Sequence, residues 1–211
     1  MSNFFDFFQY LGQPESIIRY GGLTLLLLVV FIENGLFFGF FLPGDNLILF
    51  SGVFCAIPNR LLDYPIGIVM LLLILSAITG STVGYFFGRK TGEALYTKKE
   101  SIFFKKSYIT TADAYFKKYG SSTLIMGRFL PVVRTFAPIL AGMVKMDFYQ
   151  FMLMNITGAI AWVVSLAGIG YYLGKTFPEQ IQKYSGIIAI ALIVITALPL
   201  LSKFLFSKNE Q

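Results

Sequence analysis

Gly127-Arg128-Phe129-Leu130-Pro131-Val132-Val133-Arg134-Thr135-Phe136-Ala137-Pro138 is an apolar stretch that carries two arginines and is broken at a proline. Its middle echoes an earlier stretch, Phe41-Leu42-Pro43-Gly44-Asp45, so that Phe129-Leu130-Pro131 repeats Phe41-Leu42-Pro43. In both places apolar runs lie on either side of the break. They are Leu23 to Phe41 and Asn46 to Ile57 in the first pair, and Ser122 to Leu130 and Thr135 to Val144 in the second. Proline cannot donate to the preceding turn and pushes the residue before it out of the helical region. A membrane-crossing helix needs about 20 apolar residues, so the short runs are about half a crossing each. Each pair therefore reads as a hairpin of broken helices that enters and leaves on one side, with Pro43, Gly44 and Pro131 at the turns. The plainer alternative is that Pro43 and Pro131 kink ordinary helices, which requires the first to begin near Ile17.

The solvent is a bilayer. Of the 211 residues 56% are hydrophobic, and the mean hydropathy is +0.71; soluble domains stand nearer half apolar or below. Three further runs, Pro65 to Gly88, Phe148 to Gly174 and Gly186 to Ser202, are long enough to cross. The N-terminus lacks the basic region and small-residue cleavage site of a signal peptide, so residues 1–22 are expected to remain. Phe4, Phe5, Phe7, Phe8 and Tyr10 suit a segment lying in the interface, or an apolar start to the first hairpin.

The basic residues are concentrated. Eight of the 17 lie between Arg89 and Lys118, against three acids, and the net charge is +6. A basic block between membrane segments follows the positive-inside rule and places this connector in the cytoplasm; nucleic-acid binding is the weaker explanation. Tyr108, Ala112, Tyr115 and Tyr119 recur at helical spacing opposite Asp113, Lys117 and Lys118, which fits an amphipathic helix on an anionic leaflet.

The chain also repeats itself at an offset of 86 to 90 residues. Ser51-Gly52 matches Ala141-Gly142, and Gly84-Tyr85-Phe86-Phe87-Gly88-Arg89 matches Gly170-Tyr171-Tyr172-Leu173-Gly174-Lys175. A hairpin that returns to its own side leaves each half with an odd number of crossings, so the second half is inverted, as in many transporters. The expected fold is an all-α integral membrane protein built as an inverted repeat. An interfacial segment, 1–22, precedes a first repeat, 23–92, made of a re-entrant hairpin, 23–57, and a spanning helix, 65–88. A basic amphipathic connector, 93–119, leads to the second repeat, 120–175, with hairpin 120–144 and spanning helix 148–174. A C-terminal spanning helix, 183–206, returns Lys203 and Lys208 to the cytoplasm.

Four ionisable residues lie inside the hairpins: Glu33, Asp45, Arg128 and Arg134. Each costs about 2.5 to 3.5 kcal/mol at the bilayer centre unless paired or hydrated, so their default reading is functional. Beside Glu33, Asn34-Gly35 offers a local opening in the helix. Asp45 could serve only as an N-cap for the helix that follows Pro43-Gly44. The arginines could serve only to bind Asp45 and Glu33 and hold the hairpins together. The functional reading takes the two acids and two arginines as a near-neutral cluster that becomes cationic when the acids protonate. Arginine binds phosphate oxygens with a planar fork, and a half-helix beginning inside the membrane aims free amides at the same place. A phosphate headgroup entering from the lipid is the guest this chemistry suits, with proton binding at Glu33 or Asp45 exchanged against it.

The rest of the composition argues against an enzyme. There is no histidine, and the one cysteine, Cys55, sits in an apolar run, which disfavours the usual zinc and iron sites and an internal disulfide. No nucleophile has a base beside it. Neither a metal nor a cofactor is expected.

Glu33, Phe-Leu-Pro-Gly-Asp45, Gly84-Tyr85-x-x-Gly88-Arg89-x-x-Gly92, Tyr119-Gly120, the arginine segment 127–138 and Ala141-Gly142-Met143 together resemble the DedA family of the SNARE-associated, VTT-domain superfamily. The likeness runs from about Phe31 to Gly174. It implies an inner-membrane protein with two opposed re-entrant hairpins that translocates lipids, with undecaprenyl phosphate carriers, members linked to phosphatidylethanolamine and proton-dependent homeostasis, and eukaryotic scramblases among its kin. It also implies that Glu33 and Asp45 are the essential acids and Arg128 and Arg134 the essential arginines. Asn155 and Trp162 match the family pattern, either as support for the site or through helix packing around Gly158. Many members carry Pro-Gly-Glu where this chain has Pro43-Gly44-Asp45, a shorter acid. The expected function is a bacterial plasma-membrane flippase for undecaprenyl phosphate, proton-coupled. The alternatives are a broader phospholipid flippase or scramblase and a proton-coupled ion exchanger. The expected partners are a phosphate-bearing lipid and protons, with no nucleic acid; a homodimer stays open.

Overall fold

A computed structural model of the chain describes residues 14–36, 44–57, 62–97 and 123–180. Six helices are laid out in these residues: α1 Pro14–Gly35, α2 Gly44–Ala56, α3 Ile66–Thr97, α4 Thr123–Gly127, α5 Pro131–Met143 and α6 Phe148–Thr176. Residues 1–13, Pro43, most of the expected basic connector and the expected C-terminal span 183–206 lie outside the described residues.

α3 and α6 have the length and composition to cross a bilayer, with 27 residues over Ile66–Gly92 and 29 over Phe148–Thr176, whose most apolar 18-residue stretches have mean hydropathies of 2.3 and 1.8. Only 33% of the most apolar part of each is buried inside the protein. The remainder includes Ile68, Leu71, Leu75, Val83 and Phe86 on α3, and Tyr149, Leu153, Ile156, Ile160 and Val164 on α6, all exposed. They recur at steps of three and four, or their sums, and so form a stripe along each helix. In water such stripes would be large apolar patches. Against lipid they need no cover, and the helical backbone satisfies its own polar groups.

Element ends differ from the sequence expectation in two places. α3 continues past Gly88 to Thr97, so the boundary expected at residue 93 falls inside a helix. The first hairpin does not begin at residue 23. α1 starts at Pro14 and bends at Gly22, which takes φ 55° and ψ −153°. An L side chain is rarely found at such a positive φ, and glycine is the residue that accepts it. The expected division between residues 22 and 23 is therefore a bend within one helical segment.

The helices group into two compact units. One contains the end of α1, α3, α4, α5 and α6 as far as Ser165. In it α5 lies backbone to backbone on α3. A Cβ on Gly142 would collide with Tyr85 and Arg89, one on Gly88 with Ile139, and one on Gly92 with Met143. Small residues let helices approach this closely where there is little hydrophobic force between them. α1 meets α3 in the same way through Gly35 and Gly80, and the Ser76 hydroxyl donates to the Leu27 carbonyl at 2.6 Å. Tyr85 stacks on Phe151 with centroids 4.4 Å apart and donates to the Met146 carbonyl at 2.5 Å. That contact ties α3 to the loop between α5 and α6.

The other unit contains α2, the start of α1 and the last turns of α6. Gly52 of α2 meets Ala167 and Tyr171, while Gly170 meets Leu49 and Gly174 meets Val53 and Ala56. The packing repeats that of the first unit: α2 packs on the end of α6 as α5 packs on α3. The contacts also correct the register of the repeat. Gly170 and Gly174 take the places of Gly88 and Gly92, an offset of 82 residues, not the 86 that matched Gly84-Tyr85 to Gly170-Tyr171. The difference is about one helical turn. Packing keeps the small residues over the half-helix and ignores the likeness of the aromatic motif.

Candidate functional site

The break between α4 and α5 turns two arginines inward. α4 ends in a tightened turn, with amide bonds from Arg128, Phe129 and Leu130 to the carbonyls three residues back at 3.1 to 3.2 Å. Pro131 then opens α5, whose N-terminus has no side-chain cap. Proline suits that place because its missing N–H would be unpaired there in any case. The Arg134 amide makes the first turn's bond to Leu130 at 2.9 Å. Arg128 and Arg134 are 4% and 3% exposed, while Phe129 and Leu130 between them are 53% and 49% exposed. Charge is inside and hydrocarbon outside, the arrangement expected of ionisable residues in a bilayer.

Arg134 has an ionic partner. Its Nη2 donates to Oε1 of Glu33, and both side chains are buried. The guanidinium carbon also lies 4.4 Å from the centroid of the Trp162 ring, a cation–π contact that burial strengthens. Trp162 is itself fully buried. Glu33 lies near the end of α1, so the pair joins α1 to α5.

Arg128 is held differently. Its Nη2 donates to Oγ of Ser81 at 3.1 Å and to Oδ1 of Asn155, and its Nη1 donates to Oδ1 of Asn34 at 3.5 Å. Both amides are themselves fixed. Asn34 donates from Nδ2 to the Val30 carbonyl at 2.8 Å, and Asn155 donates to the Ile78 carbonyl at 3.2 Å. With each NH2 committed to a backbone oxygen, each amide must present its oxygen to the arginine. A Cβ on Gly158 would come within 2.8 Å of Arg128 Cδ and 3.0 Å of its Nε, so the glycine leaves the room the arginine fills. Among the described residues Arg128 forms no ion pair.

Both arginines line one small cavity of about 10 Å³, with Leu124, Ala137, Pro138, Phe151 and Asn155, a space of the order of one water molecule. Among the described residues the buried charged side chains are Glu33, Arg128 and Arg134. All three belong to this unit, and they sum to one positive charge. A net positive buried charge, with N–H groups already oriented, favours an oxyanion.

Asp45 stands in the other unit, in the first turn of α2, where an acid complements the helix N-terminus. Gly44 opens that helix. Of the four charged residues expected from the sequence, Glu33, Arg128 and Arg134 lie in the same unit. Asn155 and Trp162 both touch the arginines, and Gly158 makes space for Arg128 where helix packing is the alternative reading. Asn34 and Ser81 are partners that the sequence reading misses. Asn34 stands there only as an opening beside Glu33. Ser81, in Gly80-Ser81-Thr82, is a polar group in the interior of an apolar span, a signal of the kind that marks the arginines.

Residues 22–172 match the VTT domain. The chain is similar to Protein DedA of Escherichia coli (strain K12), 35% identical over 187 residues that make up 88% of this chain and 84% of that one. It is similar also to Inner membrane protein YqjA of the same strain, 34% identical over 193 residues, 89% of this chain and 84% of that one. An uncharacterized membrane protein of Mycobacterium tuberculosis (strain H37Rv) is 38% identical over 176 residues, 83% of this chain and 75% of its own length. No solved structure matches. The domain match over most of the sequence, relatives covered over most of their length, two of them named as membrane proteins, and two apolar spans lead to one conclusion: the chain belongs to the DedA family of VTT-domain membrane proteins.

Proposed function

We propose that this protein is a multi-pass transporter of the bacterial inner membrane that moves a lipid phosphate, undecaprenyl phosphate, between leaflets in exchange for protons. The observation that carries the reading is the pair of buried arginines, Arg128 and Arg134, lining one pocket, with Arg134 paired to Glu33 and Arg128 held by neutral oxygens. The two glycine-packed units, each pairing a half-helix with a spanning helix from the other repeat, support an inverted-repeat carrier with re-entrant hairpins.

The phosphate enters from the lipid phase and meets Arg128 first, which among the described residues has no carboxylate to release. It then competes with Glu33 for Arg134. An ionised carboxylate that has lost its arginine in a water-poor site is costly, and the Glu33 carboxylate meets that cost by taking a proton. The reverse order releases both. Asp45, in the other unit at the start of α2, offers the second proton site. The hydrocarbon tail stays in the membrane throughout, which the exposed Phe129 and Leu130 at the break allow.

The experiment is leaflet-resolved transport of undecaprenyl phosphate and of phosphatidylethanolamine in liposomes, for wild type and Arg134→Ala. The phosphate lipid is expected to move faster, and only with Arg134 present. Equal transport of both lipids by wild type would favour a broad phospholipid flippase, and flux indifferent to a collapsed proton gradient would remove the coupling.

A further inference from the structure

Arg128 and Arg134 face the same pocket through different surroundings, and the difference bears on what each can do. A buried guanidinium must recover several kcal/mol of lost hydration. Arg134 does so with the Glu33 carboxylate and the Trp162 face. Any anion that binds it must displace an internal anion already there. Arg128 does so with three neutral oxygens, from Asn34, Ser81 and Asn155. Neutral dipoles lower the cost of the cation without cancelling its charge. They also leave part of its valence open. A guanidinium has five N–H donors, and the three bonds to described residues leave two of them for a ligand.

Resting on the lipid-phosphate reading above, we propose that Arg128 is the constitutive anion anchor and Arg134 the exchangeable one, with Ser81, Asn34 and Asn155 as positioning residues that keep Arg128 charged and unneutralised. Each has a reason to be neutral. Asn155 bridges Ile78 of α3 to Arg128, and Asn34 is tied to its own helix at Val30. Ser81 approaches from α3. An acid at any of the three places would still bind the arginine and would hold the fold as well or better, but it would supply a permanent internal competitor for the phosphate. Gly158 belongs to the same arrangement, because a side chain there would push Arg128 out of its cage.

The test is Asn155→Asp, with Ser81→Ala beside it and Arg128→Lys as a third variant. Binding is read with inorganic phosphate and with a short-chain prenyl phosphate in detergent. The signal is the emission of Trp162, the chain's one tryptophan, and unfolding midpoints are measured in parallel. The expected result is that Asn155→Asp keeps or raises the midpoint while the apparent Kd for either phosphate rises roughly tenfold or more, the scale of a lost charge-assisted bond. Ser81→Ala is expected to weaken binding by a few-fold, about 2 to 10 times. Arg128→Lys, a point charge without the fork, retains the midpoint and recovers part of the affinity lost in Arg128→Ala. If Asn155→Asp folds and binds phosphate as wild type does, the division of labour is wrong and the three neutral groups only hold the helices together. If Asn155→Asp fails to fold, a Kd unchanged in Ser81→Ala overturns the division of labour in its place. Failure of the wild-type protein to bind either phosphate would instead remove the lipid-phosphate reading itself. Response to prenyl phosphate but not to inorganic phosphate would assign the site to lipid headgroups, and an equal response to both would assign it to the phosphate group alone.

Discussion

Arg134 is paired with Glu33, a residue 101 positions before it in the chain, and both side chains are buried. The pair brings the acid of α1 to the first turn of α5. It also sets one strong test, because breaking a buried pair from one side strands a charge, whereas removing both partners does not. Glu33→Gln is expected to lower stability by about 3 to 5 kcal/mol, measured as denaturant or thermal unfolding in detergent. The double variant Glu33→Gln with Arg134→Gln is expected to be more stable than either single one. Additive losses would show that the pair is not coupled.

The position of Trp162 makes the pocket visible without a label. It is the chain's one tryptophan, and the Arg134 guanidinium lies over its ring at 4.4 Å. Phosphate that draws Arg134 away from Glu33 must alter the charge above that ring. A saturable change in emission on adding phosphate is expected in wild type and is expected to vanish in Arg134→Ala. An emission change of the same size in the variant would place the phosphate elsewhere.

The glycine contacts separate crowded from open positions. Gly142→Ala and Gly170→Ala place a methyl against neighbouring backbone, and each is expected to cost about 1 to 3 kcal/mol or to prevent folding. Nothing lies within 4 Å of the place a methyl would take on Gly168, so Gly168→Ala is expected to gain up to about 1 kcal/mol from helix propensity. Unfolding midpoints of the three variants check the contrast. Equal effects at all three would mean that α2 and α5 are not packed as described.

Tyr85 tests the loop that follows α5. Its hydroxyl donates to the Met146 carbonyl and accepts from Arg89 at 3.3 Å, and its ring stacks on Phe151. Tyr85→Phe keeps the ring and is expected to lose about 1 kcal/mol. Tyr85→Ala loses the ring as well and is expected to lose about 3 to 5 kcal/mol. Unfolding in detergent measures both. A Phe variant as damaged as the Ala variant would make the hydroxyl, not the stacking, the main support.

Much of this is legible in the chain because membrane sequences state their exceptions openly. Glu33, Arg128 and Arg134 stand out of apolar runs where a charge is expensive, and the expectation that they belong to a buried site follows from that alone. The spans α3 and α6 follow from length and hydropathy. Which group each arginine chooses is not legible. Glu33 and Asp45 are equal candidates for both, and an uncharged cage of Asn34, Ser81 and Asn155 leaves no mark in charge patterning. The repeat register is hidden for a similar reason. Gly84-Tyr85 and Gly170-Tyr171 look alike as letters, while the helices are seated by Gly88 with Gly92 and by Gly170 with Gly174, and small residues at four-residue spacing can be slid by one turn without losing their pattern.

The most direct test of the proposed role of Arg128 and Arg134 in binding phosphate is leaflet-resolved transport of undecaprenyl phosphate by purified protein in liposomes. Wild type, Arg128→Ala and Arg134→Ala would be compared, each shown to be folded, with and without excess inorganic phosphate. Transport is expected in wild type, reduced by inorganic phosphate and lost in both variants. Folded variants that carry the lipid at the wild-type rate would contradict the assignment.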